Sequence, residues 1–459
     1  MCAADQVDPE AIAPLLLWVQ SPTQLFSVME CLWVGFRSVR KTICWVALVA
    51  IEMRSPRFRE LVFQHVDETF ADEVNFLTQL IRIPTVNPPG NYEDIAGFLS
   101  SHARQNGLMA EIRETPTEVC KAAGVGTDNR RLSVKICAGR GKKPRILLLA
   151  HLDTVPAGDA SAWKHDPFGG EIVGDRIYGR GALDCKGRIT AYLFAQLALA
   201  RVFGELPFEI CVAATADEEI GGHTGAEYLL ENGYLDCDYC IGEGYTWEVF
   251  NGFKGLLWVQ VSIRGKSAHA ATPQLGVSVL PPLNEFLADV IRYQAELSSR
   301  EETRDTTLNI GTVNAGTKIN MVPDLGSVEL DLRVGEEYGI QRAMDDLSTL
   351  VERAKRAHAE VVFAMNVLNS SNPIAMDPDS ELVRAVQSSV EEVTKTSVPV
   401  KLWFAHSDTL HFLKRGIPAV NYGVGRPGIA HSTDEYLDLE DLKLSTKAIA
   451  LSMIKLGKV

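Results

Sequence analysis

Ile146-Leu147-Leu148-Leu149-Ala150-His151-Leu152-Asp153-Thr154-Val155-Pro156 is the stretch that decides the fold. Its apolar run is short, unbroken and β-permissive, as in a strand buried on both faces of a parallel sheet. It ends in a histidine and a carboxylate two residues apart, which an extended chain projects to the same side. Open α/β sheets gather ligands at the C-terminal ends of their strands, and a metal-bound imidazole usually gives its second N–H to a carboxylate. The plain alternative is a strand running into a polar turn, with His151 an ordinary surface residue. The stretch alone does not choose between them.

The same pattern recurs downstream of this stretch. Phe208–Ala214 reads as a second buried strand ending in Thr215-Ala216-Asp217-Glu218-Glu219, and Tyr239–Ile241 as a third ending in Gly242-Glu243-Gly244. Between the first two, Gly179-Arg180-Gly181-Ala182-Leu183-Asp184-Cys185-Lys186-Gly187 leads into an Ala- and Leu-rich helix over 189–202. This is not a dinucleotide loop, because Asp184 replaces the third glycine and no acidic ribose partner follows. Upstream lie two helical patterns, one running to Ile83 and one over 92–106, separated by Asn87-Pro88-Pro89-Gly90. The pattern changes near Val249. A strand at 256–264, a helix at 280–297, strands at 307–313 and 327–334, a helix at 338–359 and a strand at 360–367 give the β-α-β-β-α-β order of a ferredoxin-like unit. The expected architecture is α/β: a mixed-sheet catalytic domain in two parts, 54–248 and 369–459, with a ferredoxin-like lid inserted at 249–368.

Composition sets the outer bounds. With 459 residues, 46% of them hydrophobic, the chain can fill more than one core. A net charge of −14 argues against nucleic acid or an anionic membrane as partner. Residues 1–53 carry apolar patches, none long enough for a bilayer span, after an acidic start unlike a signal peptide. A poorly ordered extension is expected there. The nine scattered cysteines, an odd number, suit a reducing compartment better than a disulfide framework, so a cytoplasmic protein is expected.

Five strand-end or loop groups stand out: His151, Asp184, the Glu218-Glu219 pair, Glu243 and His431 of Gly428-Ile429-Ala430-His431-Ser432. Two imidazoles with three carboxylates is donor chemistry for zinc, manganese or cobalt. Two such ions sharing one carboxylate would stand about 3.5–4 Å apart, as in hydrolytic clamps. Adjacent glutamates of an extended segment point opposite ways, so one can bind metal while the other handles protons. Taken singly, each group is more simply a solvated turn; the joint pattern favours a metal centre.

These stretches, together with Gly265-Lys266-Ser267-Ala268-His269-Ala270 and Lys318-Ile319-Asn320-Met321-Val322-Pro323-Asp324, resemble the co-catalytic metallopeptidase and deacylase family. Acetylornithine deacetylase, succinyl-diaminopimelate desuccinylase, aminoacylase-1 and carboxypeptidase G belong to it. The resemblance runs from about Ala71 to the C-terminus. It implies that His151 and Glu243 hold one metal, Glu219 and His431 the other, and that Asp184 bridges them. It further implies that Asp153 orients His151, that Glu218 is the general base, and that His269 donates to the developing oxyanion, often across a dimer interface. Asn320 and Arg333 would contact substrate, and a cis peptide bond would follow Asp184. The implied cofactors are two divalent ions, zinc first, manganese or cobalt as alternatives, with one ion sufficing as a variant. The implied reaction is hydrolysis of the amide of an N-acyl amino acid or related small carboxylate, in a homodimer paired through the lid. Alternatives are dipeptide or C-terminal residue hydrolysis, release of ammonia from an aromatic amine, or an inactive scaffold of the same fold.

Overall fold

The structure is a computed structural model and describes residues 56–458; the extension expected at 1–53 lies outside them. The first half of the chain runs α1 (Pro56–Ile81), α2 (Glu93–Gln105), β1 (Met109–Thr115), β2 (Arg131–Ala138), β3 (Arg145–His151), β4 (Glu171–Val173), β5 (Arg176–Tyr178), α3 (Lys186–Phe203), β6 (Glu209–Thr215), β7 (Tyr239–Gly242) and β8 (Val249–Phe253). It continues through β9 (Gly255–Arg264), α4 (Leu280–Ser299), β10 (Thr307–Ala315), β11 (Leu325–Val334), α5 (Ile340–Ala357) and β12 (Val362–Ser371). Then come β13 (Ile374–Ala375), α6 (Glu381–Thr394), β14 (Val400–Trp403), α7 (Thr409–Lys414), β15 (Ala419–Asn421), β16 (Tyr436–Asp438) and α8 (Leu439–Leu456).

The large sheet has the order β1-β2-β6-β3-β7-β15-β8-β13, with β14 also on β8. It is mixed: β6, β3, β7 and β15 run parallel, whereas β1, β2 and β6 pair antiparallel. The aliphatic run of β3 is buried through Ile146–His151, because helices cover both faces of a central parallel strand. One of these helices, α3, is buried almost all round between β3, β6 and α8, which explains why its Ala-Leu composition shows so little polar stripe.

The second sheet, β10-β11-β9-β12, is wholly antiparallel. With α4 and α5 on one face it forms the ferredoxin-like unit. Strand β9 alternates strictly, burying Leu257, Val259, Val261 and Ile263 against Phe286, Val290, Leu347 and Val351. Val249–Phe253, which the sequence places in the inserted segment, pairs instead with β13, β14 and β15 in the large sheet. It is too short and too uniformly buried to declare its partner from pattern alone.

One expectation about cysteine is corrected. Cys137 and Cys211 form a disulfide, being directly opposed partners on the antiparallel strands β2 and β6, with Cα atoms 4.2 Å apart. The two lie 74 positions apart, so only the strand register brings them together. Cys120, Cys185, Cys237 and Cys240 are free thiols.

Candidate metal centre

Strand register sets the site. His151 at the end of β3 lies level with Thr215 at the end of β6, and Leu148 lies beside Ile241 of β7. The chain segments leaving these three strands therefore emerge along one edge, bringing His151 and Asp153, then Asp217-Glu218-Glu219, then Glu243 side by side. Asp184 arrives from the loop before α3, after a cis Asp184–Cys185 bond, and His431 from the loop between β15 and β16.

Two donor triads result, the first with the Cys185 thiol also within reach of its donor atoms. His151 Nε2 stands 3.2 Å from Asp184 Oδ1 and 3.4 Å from Glu243 Oε2. His431 Nε2 stands 3.3 Å from Asp184 Oδ2 and 3.2 Å from Glu219 Oε1. Tetrahedral donors about 2.0 Å from one ion stand about 3.3 Å apart, so each triad has the spacing of a ligand set. Asp184 offers one oxygen to each. Burial pushes Glu218 well above the usual carboxylate range and raises Glu219 as well, with the charge of Glu243 adding to the first. So much crowded negative charge selects cations, and the donor set fits two divalent ions.

The surrounding hydrogen bonds fix this arrangement. His151 Nδ1 donates to the Asp153 carbonyl at 3.0 Å, with Asp153 Oδ1 at 3.4 Å, which leaves Nε2 as the free donor atom. Asp153 accepts the main-chain N–H of Glu218 on Oδ1, and on Oδ2 the main-chain N–H of Glu219 and the side-chain amide Nδ2 of Asn87. Asp217, in the left-handed region at φ 63°, is clamped by Asn87, Tyr92 and Thr224. Buried Glu435 accepts the main-chain N–H groups of Leu183 and Asp184 on Oε1 and pairs through Oε2 with Arg180 at 2.6 Å. Gly222 adopts φ +69°, and a Cβ there would meet Asp408 Oδ1 at 2.1 Å.

Glu218 takes no place in either triad. His406 Nδ1 donates to its Oε1 at 3.0 Å, while Oε2 faces His151 Nε2 at 3.9 Å. Sequence reading misses His406, and with it Asp408, whose carboxyl burial pushes up to about 7. The available signal was their position just beyond strand β14, a short strand that pattern reading also misses. Arg188 and Glu435 likewise carry no local sequence signal of their place at the site.

The lid residues are placed differently. The segments carrying His269 and Asn320 run side by side, since Ala270 N donates to the Asn320 carbonyl at 3.1 Å and the His269 main chain pairs antiparallel with that of Met321. Both are exposed, and among the described residues no hydrogen bond joins either to the two triads. Arg333 is held by Asp331 and donates to the Phe404 carbonyl at 3.3 Å. It touches the loop that carries His406.

Residues 147–455 match the model of peptidase family M20/M25/M40. The chain belongs to that family. A probable succinyl-diaminopimelate desuccinylase of Staphylococcus aureus (strain MRSA252) is 24% identical over 402 residues, 80% of this chain and 93% of the relative. Among solved structures, an M20 family metallo-carboxypeptidase from Sulfolobus solfataricus superposes with TM-score 0.62 at 21% identity, over 84% of this chain and 99% of the other. A dinuclear metal binding peptidase of the M20 family from Bacillus subtilis superposes with TM-score 0.61 at 16% identity, over 86% and 100%. This M20 family chain is a metal-dependent hydrolase of amide bonds, with a catalytic domain and a lid. No helix among its described residues is long and apolar enough to cross a membrane.

Proposed function

We propose that this M20 family hydrolase cleaves the amide of an N-acyl amino acid, with N-succinyl and N-acetyl compounds as first candidates. The carrying observation is the pair of triads sharing Asp184, with Glu218 beside them and outside both. The relative named a desuccinylase supports the acyl-amino-acid class. His151, Asp184 Oδ1 and Glu243 would hold one divalent ion, and Asp184 Oδ2, Glu219 and His431 the other. Zinc suits this nitrogen and oxygen set first, manganese or cobalt next.

Bound there, the ions supply Lewis acidity, polarising the scissile carbonyl and lowering the pKa of the attacking water. Glu218 does the proton work. With Oε1 held by His406, Oε2 is the oxygen left to take the water's proton and pass it to the leaving nitrogen. Asp153 sets the His151 tautomer and the Glu218-Glu219 turn. Arg333, whose guanidinium is paired through Nε and Nη2 with Asp331, would exchange that pair for the substrate carboxylate, and Asn320 would add a lid contact. His269 would reach the oxyanion of a second copy's site, in a homodimer paired through the lid. Its exposed position on the lid, with no hydrogen bond to its own triads among the described residues, supports that reading, as do the exposed Val362, Val367 and Leu368 along the edge strand β12. Among the described residues Cys120, Cys185, Cys237 and Cys240 stay free thiols beside the Cys137–Cys211 disulfide, and this excess of free thiol supports a cytoplasmic setting.

A panel of N-succinyl and N-acetyl amino acids, dipeptides and arylamines, assayed with zinc, manganese or cobalt, tests the proposal. Acyl-amino-acid turnover is expected, falling by about 10²–10⁴-fold in Glu218→Gln. Turnover confined to dipeptides or arylamines overturns the substrate class. A fully metallated chain that hydrolyses nothing overturns the catalytic reading.

A further inference from the structure

Arg188, in the first turn of α3, is a buried cation that touches both carboxylates of the His151–Asp184–Glu243 triad and reaches the second triad only through the shared Asp184. Its Nη1 lies 2.6 Å from Asp184 Oδ1 and 3.1 Å from Glu243 Oε2, the two oxygens that stand with His151 Nε2. The guanidinium cannot swing away. Nε donates to the Gly244 carbonyl at 3.0 Å, the Tyr245 ring lies 5.7 Å from the guanidinium carbon, and the side chain is 2% exposed. The second triad meets this cation only through the shared Asp184: among the described residues Glu219 pairs with no lysine or arginine, and Arg180, paired with Glu435, reaches the triad only at the His431 carbonyl, 3.4 Å from Nη2.

We propose that Arg188 makes the two metal positions unequal, so that the chain fills the Asp184–Glu219–His431 position first and the His151–Asp184–Glu243 position much more weakly. This rests on the ligand sets proposed above. Charge-assisted hydrogen bonds from Nη1 draw on the same carboxylate oxygens a cation would use. The guanidinium neutralises one of the negative charges that would balance a divalent ion. Its fixed positive charge also repels that ion at close range, in surroundings too buried for solvent to screen. None of the three acts directly on Glu219 and His431, and His431 is half-exposed, so a cation there keeps more of its hydration.

The test is a zinc titration of the chelator-stripped full chain, by calorimetry, with bound zinc counted by mass spectrometry at buffered free zinc. Wild-type protein is expected to bind one equivalent at least about 100-fold more tightly than the second. His431→Ala should abolish the tight step, and Glu243→Gln the weak one. Arg188→Met should tighten the weak step by about tenfold or more and leave the tight step in place. Two wild-type steps within about threefold of each other overturn the inference, whether or not Arg188→Met folds. So does an unchanged gap in a folded Arg188→Met. Where His431→Ala and Glu243→Gln each still remove one of two equal steps, the ligand sets stand and the Arg188 inference alone fails. Where neither variant alters zinc binding, the ligand assignment itself fails and takes the inference with it.

Discussion

Asp153 Oδ2 accepts the main-chain N–H of Glu219 at 3.1 Å, joining the end of strand β3 to the turn after β6. The same carboxylate takes the N–H of Glu218 on its other oxygen at 3.2 Å. Its geometry thus serves two residues beyond His151, and the turn bearing both glutamates is set by a side chain on a neighbouring strand. Asp153→Asn would place an amide donor against one of these N–H groups. Both zinc affinity and kcat/KM are expected to fall by about 10–100-fold, with secondary structure by circular dichroism unchanged. Loss of activity at full metal affinity would show that Asp153 acts on Glu218 alone.

His406 holds Glu218 Oε1 from a loop that Arg333 of the lid also touches. A positioning role predicts a split in the kinetic constants. His406→Ala should lower kcat by about tenfold or more with KM within about twofold, and His406→Gln, which can still donate, should recover part of it. Equal loss from both variants, or a change confined to KM, would place His406 with substrate binding instead.

The central strands and their terminal residues are legible because the signal is local: an aliphatic run followed within a few positions by histidine or carboxylate. Thus His151, Glu218-Glu219 and Glu243 stand out before any fold is known, and the observed strands extend the expected ones by only a residue or two. What stays hidden depends on register and on long closures. His406 meets Glu218 across 188 positions, and Cys137 meets Cys211 across 74. Arg188 opens an apolar helix where a charge looks merely N-terminal, until the fold brings Glu243 to it. Strand β8 carries no alternation, because a strand covered on both sides has no polar face to show.

Gly222 lies where chain geometry and side-chain space both exclude a Cβ. At φ +69° a non-glycine residue adds roughly 1 kcal/mol of strain. The new methyl would also overlap Asp408 Oδ1, which sits beside the site. Gly222→Ala is expected to lower the thermal midpoint by a few degrees and to reduce kcat, because the Glu218-Glu219 turn and the His406–Asp408 loop are pushed apart. Full activity at wild-type stability would mean that the two loops move independently.

Glu73 gives the fold a pH dependence that the active site does not contribute. It is completely buried in α1, bonded on Oε1 to the Thr446 hydroxyl of α8, with no hydrogen-bond partner on Oε2. Burial pushes its carboxyl up from 4.5 to about 8, against the opposing effects of Thr446 and Lys443. Below pH 4.5 the group is protonated in both folded and unfolded chains and leaves stability untouched. As pH rises from there toward 8, the unfolded chain releases the proton while the folded chain keeps it, and stability falls by ~1.4 kcal/mol per pH unit. Above about 8 the loss is complete. Glu73→Gln keeps the shape and the Thr446 contact without the titration. Its chemical unfolding midpoint should match wild type near pH 4.5, exceed it increasingly up to about pH 8, and run parallel beyond. A constant difference across that range would mean that Glu73 folds with its charge on.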